Sequence, residues 1–301
     1  MTKVAVLTPN PSDLSYAGQW PDVLARLSES LTSAGIEVHP TPWTDHVDNI
    51  EGLKDFDLIL PVITWGYHRD HDLWLKACSL WESSGLPFSN PARVIQWNSD
   101  KSYLARLAAK GVTIAPTVFT DAITPQAVEA AFAQFSTPAL IVKPTISAGA
   151  YRTLKIEAGD NIATALNEAT CGPAMIQPFM PTIATMGETS LLFFGGRFSH
   201  GVNKRPGSEG EFRIQVQFGG LYQALDTVPE GAMTLALKTL EAINEPLLYA
   251  RIDMVPDDQG QWSLMEAELI EPDFYLAAAP DAGLRFGEAV IKRLKQAPFP
   301  L

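Results

Sequence analysis

Arg251-Ile-Asp253 and Leu264-Met-Glu266-Ala-Glu268 bring one guanidinium and three carboxylates into two short apolar segments near the C-terminus. Leu248–Val255 and Gln261–Ile270 read as strands, and Pro256-Asp-Asp-Gln-Gly260 between them is a turn cluster, so the two form a hairpin. Residues two apart in a strand share a face. Arg251 and Asp253 therefore project together, as do Glu266 and Glu268. Carboxylates gathered this closely repel one another, and a packed face does not hold them uncompensated. A hard divalent cation removes the conflict, and Mg²⁺ in particular takes a few carboxylates together with phosphate oxygens. The competing reading is a solvated acidic face on a chain of net charge −12. Leu264, Met265, Ala267, Leu269 and Ile270 make the second strand too apolar for that.

Other residues are ambiguous one at a time. Lys143 ends an apolar strand and precedes a loop of small residues up to Gly149, where backbone N–H groups can approach a polyphosphate. A plain turn with an exposed lysine fits as well, and Lys101, opening a helix, could be a surface lysine. Gln177-Pro178-Phe179-Met180 is either a linker whose backbone reads an adenine edge or an ordinary interdomain bend. Glu188 either accepts ribose hydroxyls or is simply exposed. Lys204, Arg205 and Arg213 flank Pro206-Gly-Ser-Glu-Gly210, a loop suited to closing over phosphates or a solvated turn. Tyr67, His68 and Arg69 come after a strand ending at Val62, where an open α/β sheet presents ligands. They are candidates for substrate recognition, with His68 also for proton transfer, unless the loop's aromatics only cover an interface. Asp13, after the first strand, is a weaker candidate of the same kind.

The elements that must position these groups are those of an α/β protein. Short buried strands at Val4–Leu7, Glu37–His39 and Leu58–Val62 alternate with helices at Pro21–Ala34 and Asp72–Ser83, which favours a parallel layer. Trp97-Asn-Ser-Asp100 offers N-caps for a helix through Lys110 closed by Gly111. Strands near Thr117–Thr120, Ala139–Lys143, Thr153–Ile156 and Ala174–Gln177 come next, with helices Pro125–Phe135 and Asn161–Ala169. From Gly187 strands dominate, through Phe194, Arg197–Asn203, Phe212–Val216 and Leu221–Asp226. Helices Glu230–Ile243 and Gly283–Lys295 flank the acidic hairpin.

The 301 residues, 46% hydrophobic and 19% charged, suffice for two or three packed units. With 34 acidic against 22 basic residues, general binding to nucleic acid or an anionic membrane is disfavoured. No apolar run approaches the roughly 20 residues that span a bilayer, and Val4–Leu7 is too short for a signal sequence. Cys78 and Cys171 lack metal or redox spacing and read as free core thiols in a reducing compartment, by default the cytoplasm.

In this order, Lys101, Lys143, Gln177–Met180, Glu188, Lys204, Arg251/Asp253 and Glu266/Glu268 resemble the ATP-grasp superfamily of ligases. "ARIDMV…LMEAEL" is similar to the metal-binding end of D-alanine–D-alanine ligases. "WGYH" at 65–68, "WNSDKSYLARL" at 97–107, "GETSLLFFGGRFSHGVNKRPG" at 187–207 and "EAELIEPDFYL" at 266–276 resemble the D-cycloserine synthetase branch more closely. The resemblance implies an ATP-grasp fold: an N-terminal parallel α/β domain over 1–97, a central lid subdomain over 98–178 and a C-terminal subdomain over 179–301 that clasp ATP. It implies ATP contacts from Lys101, Lys143 and Lys204, adenine recognition by Gln177, Pro178, Phe179 and Met180, and ribose contact by Glu188. It implies ligation of Mg²⁺, as two ions, by Asp253, Glu266 and Glu268. Arg251 would sit near a developing oxyanion, with Lys204 and Arg213 as further catalytic cations.

The activity implied by the resemblance is that of an ATP- and Mg²⁺-dependent ligase of antibiotic biosynthesis. Such an enzyme phosphorylates a carboxylate or carbonyl oxygen and then admits an amine. In the cycloserine branch the phosphorylated group would be the ureido carbonyl oxygen and the attack intramolecular, closing O-ureido-D-serine to D-cycloserine. A bimolecular carboxylate–amine ligase and a non-catalytic nucleotide-binding module are the alternatives. The expected partner is a small amino-acid-like substrate, its carboxylate on Arg69 or Arg213 and its ammonium on Glu271, with a homodimer left open. Two departures from the superfamily stand out. Glu268 occupies a position where many grasp ligases carry Asn, and Leu269-Ile-Glu271-Pro272-Asp273-Phe-Tyr275 replaces the usual Asn-x-x-Pro-Gly loop.

Overall fold

The computed structural model describes residues 2–296 except 17, 170 and 209. Strand β1 (Thr2–Thr8), helix α1 (Trp20–Ser33), β2 (Ile36–Pro42), β3 (Leu58–Leu60) and α2 (His71–Ser84) build the first layer. Its three strands are parallel in the order β2-β1-β3. The Val4–Leu7 run is fully buried, as a strand covered on both faces must be. The carboxylate of Asp70 caps α2 by accepting from the Leu73 N–H at 3.1 Å, and Gly85 closes it in the left-handed conformation.

Helices α3 (Ala92–Asn98) and α4 (Tyr103–Ala109) lead to an antiparallel sheet of β4 (Val118–Thr120), β5 (Ala139–Pro144), β6 (Leu154–Glu157) and β7 (Ala174–Pro178), ordered β4-β7-β5-β6. Helix α5 (Pro125–Phe135), capped by Thr124, and the short α6 (Ile162–Ala165) cover one face. Val128, Ala131, Leu140, Val142, Ile156 and Ile176 form a core of their own there.

After the short α7 (Thr182–Thr185) come β8 (Glu188–Phe194), β9 (Arg197–Arg205), β10 (Leu221–Ala224), α8 (Glu230–Ile243), β11 (Tyr249–Pro256), β12 (Trp262–Glu268) and α9 (Ala282–Leu294). Their five strands are ordered β10-β9-β8-β11-β12. One face of this sheet packs Leu191, Phe193, Ile252 and Met254 against α8 and α4. On the other, Leu192, Phe194 and Tyr249 join Phe286 of α9 and Leu31 of α1 in a core shared with the first layer. The same face turns ionic one strand-length further on, where Glu188, Ser190, Lys204, Arg251 and Asp253 are buried. That change from apolar to charged along β8 and β11 places the site.

Three expectations need correction. The helix expected through Lys110 after the N-cap candidates Trp97–Asp100 is α4, Tyr103–Ala109, but a separate helix that was not expected, α3, precedes it and the chain breaks at 99–102. There the Lys101 N–H donates to the Thr145 carbonyl at 2.8 Å and Asp100 accepts from the Ser102 N–H. Phe212–Val216 is not a strand. The chain folds back so tightly that a side chain at Gly207 or Gly220 would meet the backbone oxygen of Gly219 or Ile214 at 1.9 Å. Cys78 is a buried free thiol, whereas Cys171 is exposed beside a turn at Gly172 with φ +106°. Glu209, within the loop read as a phosphate lid, lies outside the described residues. No helix among the described residues is long and apolar enough to cross a membrane.

Candidate active site

The register of the last hairpin sets the geometry. Arg251 lies opposite Glu268 and Asp253 opposite Glu266, with a bulge immediately beyond Asp253. All four side chains line one cavity of about 1250 Å³ between the three sheets. Bulges re-aim side chains beside sites, and this one lets Met265 also reach the cavity.

Three cations share the four carboxylates. Lys204, from β9 and 3% exposed, sits 3.2 Å from Asp253 Oδ2 and 2.5 Å from Glu188 Oε1. Glu188 pairs with Lys204 in the β8–β9 register. Arg251 reaches Asp253 through both Nε and a terminal nitrogen at 3.0–3.2 Å and also pairs with Glu268. Ser190 donates to Asp253 Oδ1 at 2.6 Å. Lys101, in the break between α3 and α4, bonds Glu266 Oε1 at 2.9 Å and the Ser147 carbonyl at 2.7 Å. Lys143 enters the same cavity from β5.

The protonation states arise from burial set against these partners. Burial opposes the charge on Asp253, yet Arg251 and Lys204 hold it down at about 2. Burial likewise opposes ionised Glu266, and Lys101 and Lys143 keep it below the ordinary carboxylate range. Glu268 goes the other way: burial pushes it well up, against the pull of Arg251 and with Glu266, Asp253 and Glu271 adding to the rise. Glu271, buried near the same acids, is raised to about 7. Burial also lowers Lys143, with Lys101 adding repulsion. Burial is the largest cause acting on each of these groups, and the nearest cations decide which carboxylates stay charged.

The placement of the carboxylates decides the fit of a metal. Among the described residues no three acidic, histidine or cysteine side chains already form a metal cage. Asp253, Glu266 and Glu268 instead present carboxylates on one wall with open cavity before them. This donor set suits Mg²⁺ arriving on a polyphosphate, which needs only one or two protein carboxylates, better than a permanent ion. The residues fit.

Of the remaining expected residues, all but Asp13 and Arg205 line the cavity. Gln177, Pro178, Phe179 and Met180 close the end below β7, where Lys155 Nζ lies 4.6 Å over the Phe179 ring. The Gln177 side-chain amide donates to the Thr117 hydroxyl at 2.9 Å. Arg213 is forked onto Glu211 at 2.8–2.9 Å, and its guanidinium stacks 3.6 Å from the Phe218 ring. Arg69 is held by Asp13 at 3.0 Å and Ser15 at 3.1 Å over the Tyr16 ring. Tyr67 is 5% exposed and packs on Trp74, so most of it belongs to the core and only an edge faces the cavity. His68 touches Tyr151, and burial depresses it to about 4, leaving a neutral imidazole at pH 7.

Sequence reasoning missed Ser190, Ser147 and Tyr16. Ser190 was legible in principle, because it stands two residues from Glu188 and so shares its face. Ser147 and Tyr16 carry no spacing signal; loop geometry alone brings them in.

Three comparisons bear on this arrangement. Residues 4–90 match the family model described as D-cycloserine synthetase DcsG, N-terminal domain. The chain is 31% identical over 290 residues to the cycloserine biosynthesis protein DcsG of Streptomyces lavendulae, covering 89% of this chain and 93% of that protein. The crystal structure of D-cycloserine synthetase DcsG superposes with a TM-score of 0.81 at 25% identity, covering 97% of this chain and all of that one. A D-alanine–D-alanine ligase from Bacillus anthracis shares the fold, with a TM-score of 0.72 at 16% identity over 98% of this chain and 97% of its own. The chain belongs to the D-cycloserine synthetase family, and it is an ATP-dependent ligase on the ATP-grasp fold.

Proposed function

We propose that this ligase closes the ring of D-cycloserine from O-ureido-D-serine, with ATP held by Lys101, Lys143, Lys204 and the Gln177–Met180 backbone. The observation that carries the reading is one cavity whose acidic hairpin wall faces Tyr67, His68, Arg69 and Glu271. Bound Mg²⁺ on Asp253, Glu266 and Glu268 would neutralise phosphate oxygens during transfer. Metal titration distinguishes one ion from two.

The product's connectivity selects the oxygen that is phosphorylated. The ring carbonyl carbon is the former carboxyl carbon, so the carboxylate and not the ureido oxygen must receive the γ-phosphoryl group. A ureido phosphate would leave the carboxylate as poor an electrophile as before. The nitrogen bonded to oxygen then attacks the carboxyl carbon, phosphate leaves, and water removes the carbamoyl group. Arg251, held by Asp253 and Glu268, offsets charge on the tetrahedral oxygen. Glu271 accepts from the α-ammonium. Arg69 orients the carboxylate until it reacts, its guanidinium pre-set by Asp13 and Ser15. Arg213, engaged by Glu211, serves through the loop it steadies. Glu188 is assigned to the ribose hydroxyls. His68, being neutral, is a hydrogen-bonding wall residue rather than an acid.

The segments 1–97, 98–178 and 179–301 act as the units of this machine. A separate core around Val128 supports independent motion of the middle one. The cytoplasm is the proposed compartment, and the oligomeric form is a monomer or a homodimer.

Substrate carrying ¹⁸O in its carboxylate tests the chemistry. One labelled oxygen should appear in the inorganic phosphate. Unlabelled phosphate would place the phosphoryl group elsewhere, and absence of ADP release on this substrate would overturn the assignment.

A further inference from the structure

The outer edge of β12 has no neighbouring strand, since β12 ends the sheet. Leu264 and Ala267 on it are buried, so their backbone groups must be satisfied. Leu264 exchanges bonds with 113–115: its N–H donates to the Thr113 carbonyl and its carbonyl accepts from Ala115, both at 2.9 Å. Beyond the bulge, side chains take over. The Tyr103 hydroxyl accepts from the Ala267 N–H at 2.8 Å and donates to the Ala267 carbonyl at 3.0 Å. The Asn98 amide donates to the same carbonyl at 2.8 Å and accepts from the Leu269 N–H at 2.9 Å. Both side chains are buried, Tyr103 to 1% exposure.

We propose that Tyr103 and Asn98 are positioning residues that stand in for a sixth strand and fix the carboxylates of Glu266 and Glu268. The side chains of residues 266 and 268 project into the cavity, while the backbone of the residue between them is gripped from behind. A hydroxyl that bonds both the N–H and the carbonyl of Ala267 pins the strand along its axis. The planar Asn98 amide, bridging Ala267 and Leu269, pins its rotation. Lys101 lies between the two gripping residues and bonds Glu266 itself. The stretch 98–103 therefore sets both the acid and its counter-ion, as partners behind metal ligands do elsewhere. The inference rests on the proposed reading of Glu266 and Glu268 as Mg²⁺ ligands.

Mn²⁺, which replaces Mg²⁺ in oxygen sites, gives a readout independent of turnover. Its affinity for the complex of full-length protein with a non-hydrolysable ATP analogue can be titrated from the electron paramagnetic resonance signal of the free ion. Tyr103→Phe should weaken Mn²⁺ about tenfold. Val128→Ala, in the separate core of the middle sheet, should lower the melting temperature without shifting Mn²⁺ affinity. Wild-type affinity in Tyr103→Phe would overturn the proposal. Should that variant fail to fold, Asn98→Ser withdraws the bridge between Ala267 and Leu269 without adding charge, and unchanged affinity there is equally contrary. Glu266→Gln is read alongside: if it too leaves Mn²⁺ binding intact, the ligand assignment fails, not merely the clamp.

Discussion

Asp253 and Glu266 stand directly opposite each other in the last hairpin, yet each is neutralised from a different part of the chain: Asp253 by Lys204 at 3.2 Å, Glu266 by Lys101 at 2.9 Å. Lys204 comes from the same sheet and Lys101 from the break between two helices. In the proposed reading, a phosphate entering between them would meet two lysines already desolvated, and the carboxylates it displaced would be free to hold a metal ion.

Lys204 is the harder of the two to remove. Its neutral replacement leaves Glu188 and Asp253 buried without their shared counter-charge. Lys204→Met should lose activity and about 3 kcal/mol of stability in denaturant titration. Adding Glu188→Gln should restore much of the stability and none of the activity. A single variant as stable as the parent would refute this account of the triad.

Stability should fall with rising pH because of Glu271. Its folded value of about 7 lies above the ordinary 4.5, so the folded chain holds the proton more tightly than the unfolded one. The contribution is complete below pH 4.5 and is lost as pH rises through 7. Glu271→Gln should therefore be more stable than the parent at pH 8, by at most about 3 kcal/mol, and no different at pH 4. Melting temperatures across that range decide it.

His68 should show no titration between pH 7.5 and 5.5, because burial depresses it to about 4. Its ring signal in a proton–carbon NMR spectrum, assigned with His68→Asn, would report a protonation near 6.5 if the imidazole were open to solvent.

Much of this site was legible before the fold. Period-two spacing put Arg251, Asp253, Glu266 and Glu268 on one face, and the turn at Pro256 paired their strands. Spacing could not show which cation meets which acid, since those pairings depend on how three sheets close around a cavity. Helix α3 was hidden for a related reason: it is one short helix of seven residues, and its place is set by contacts distant in sequence, such as the Asn98 amide bonding to Ala267 and Leu269. The strand read at Phe212–Val216 failed because Arg213 finds its partners, Glu211 and Phe218, within its own loop.

That loop should respond to nucleotide. Gln217 already touches the Gly149 carbonyl at 3.1 Å across the cavity mouth, joining the two segments expected to cover phosphates. Trypsin should cut after Arg213 more slowly when a non-hydrolysable ATP analogue and Mg²⁺ are present. Equal rates would show that the loop is indifferent to the site.

The central claim is that one small substrate suffices. ATP consumption is monitored with O-ureido-D-serine alone and again with an added free amine, the products being identified by mass spectrometry. The account predicts ADP and the cyclised product from the single substrate, with turnover lost in Glu266→Gln while the fold is kept. ADP release only after a second amine is supplied, with a linear product, would contradict it and make the enzyme a bimolecular ligase.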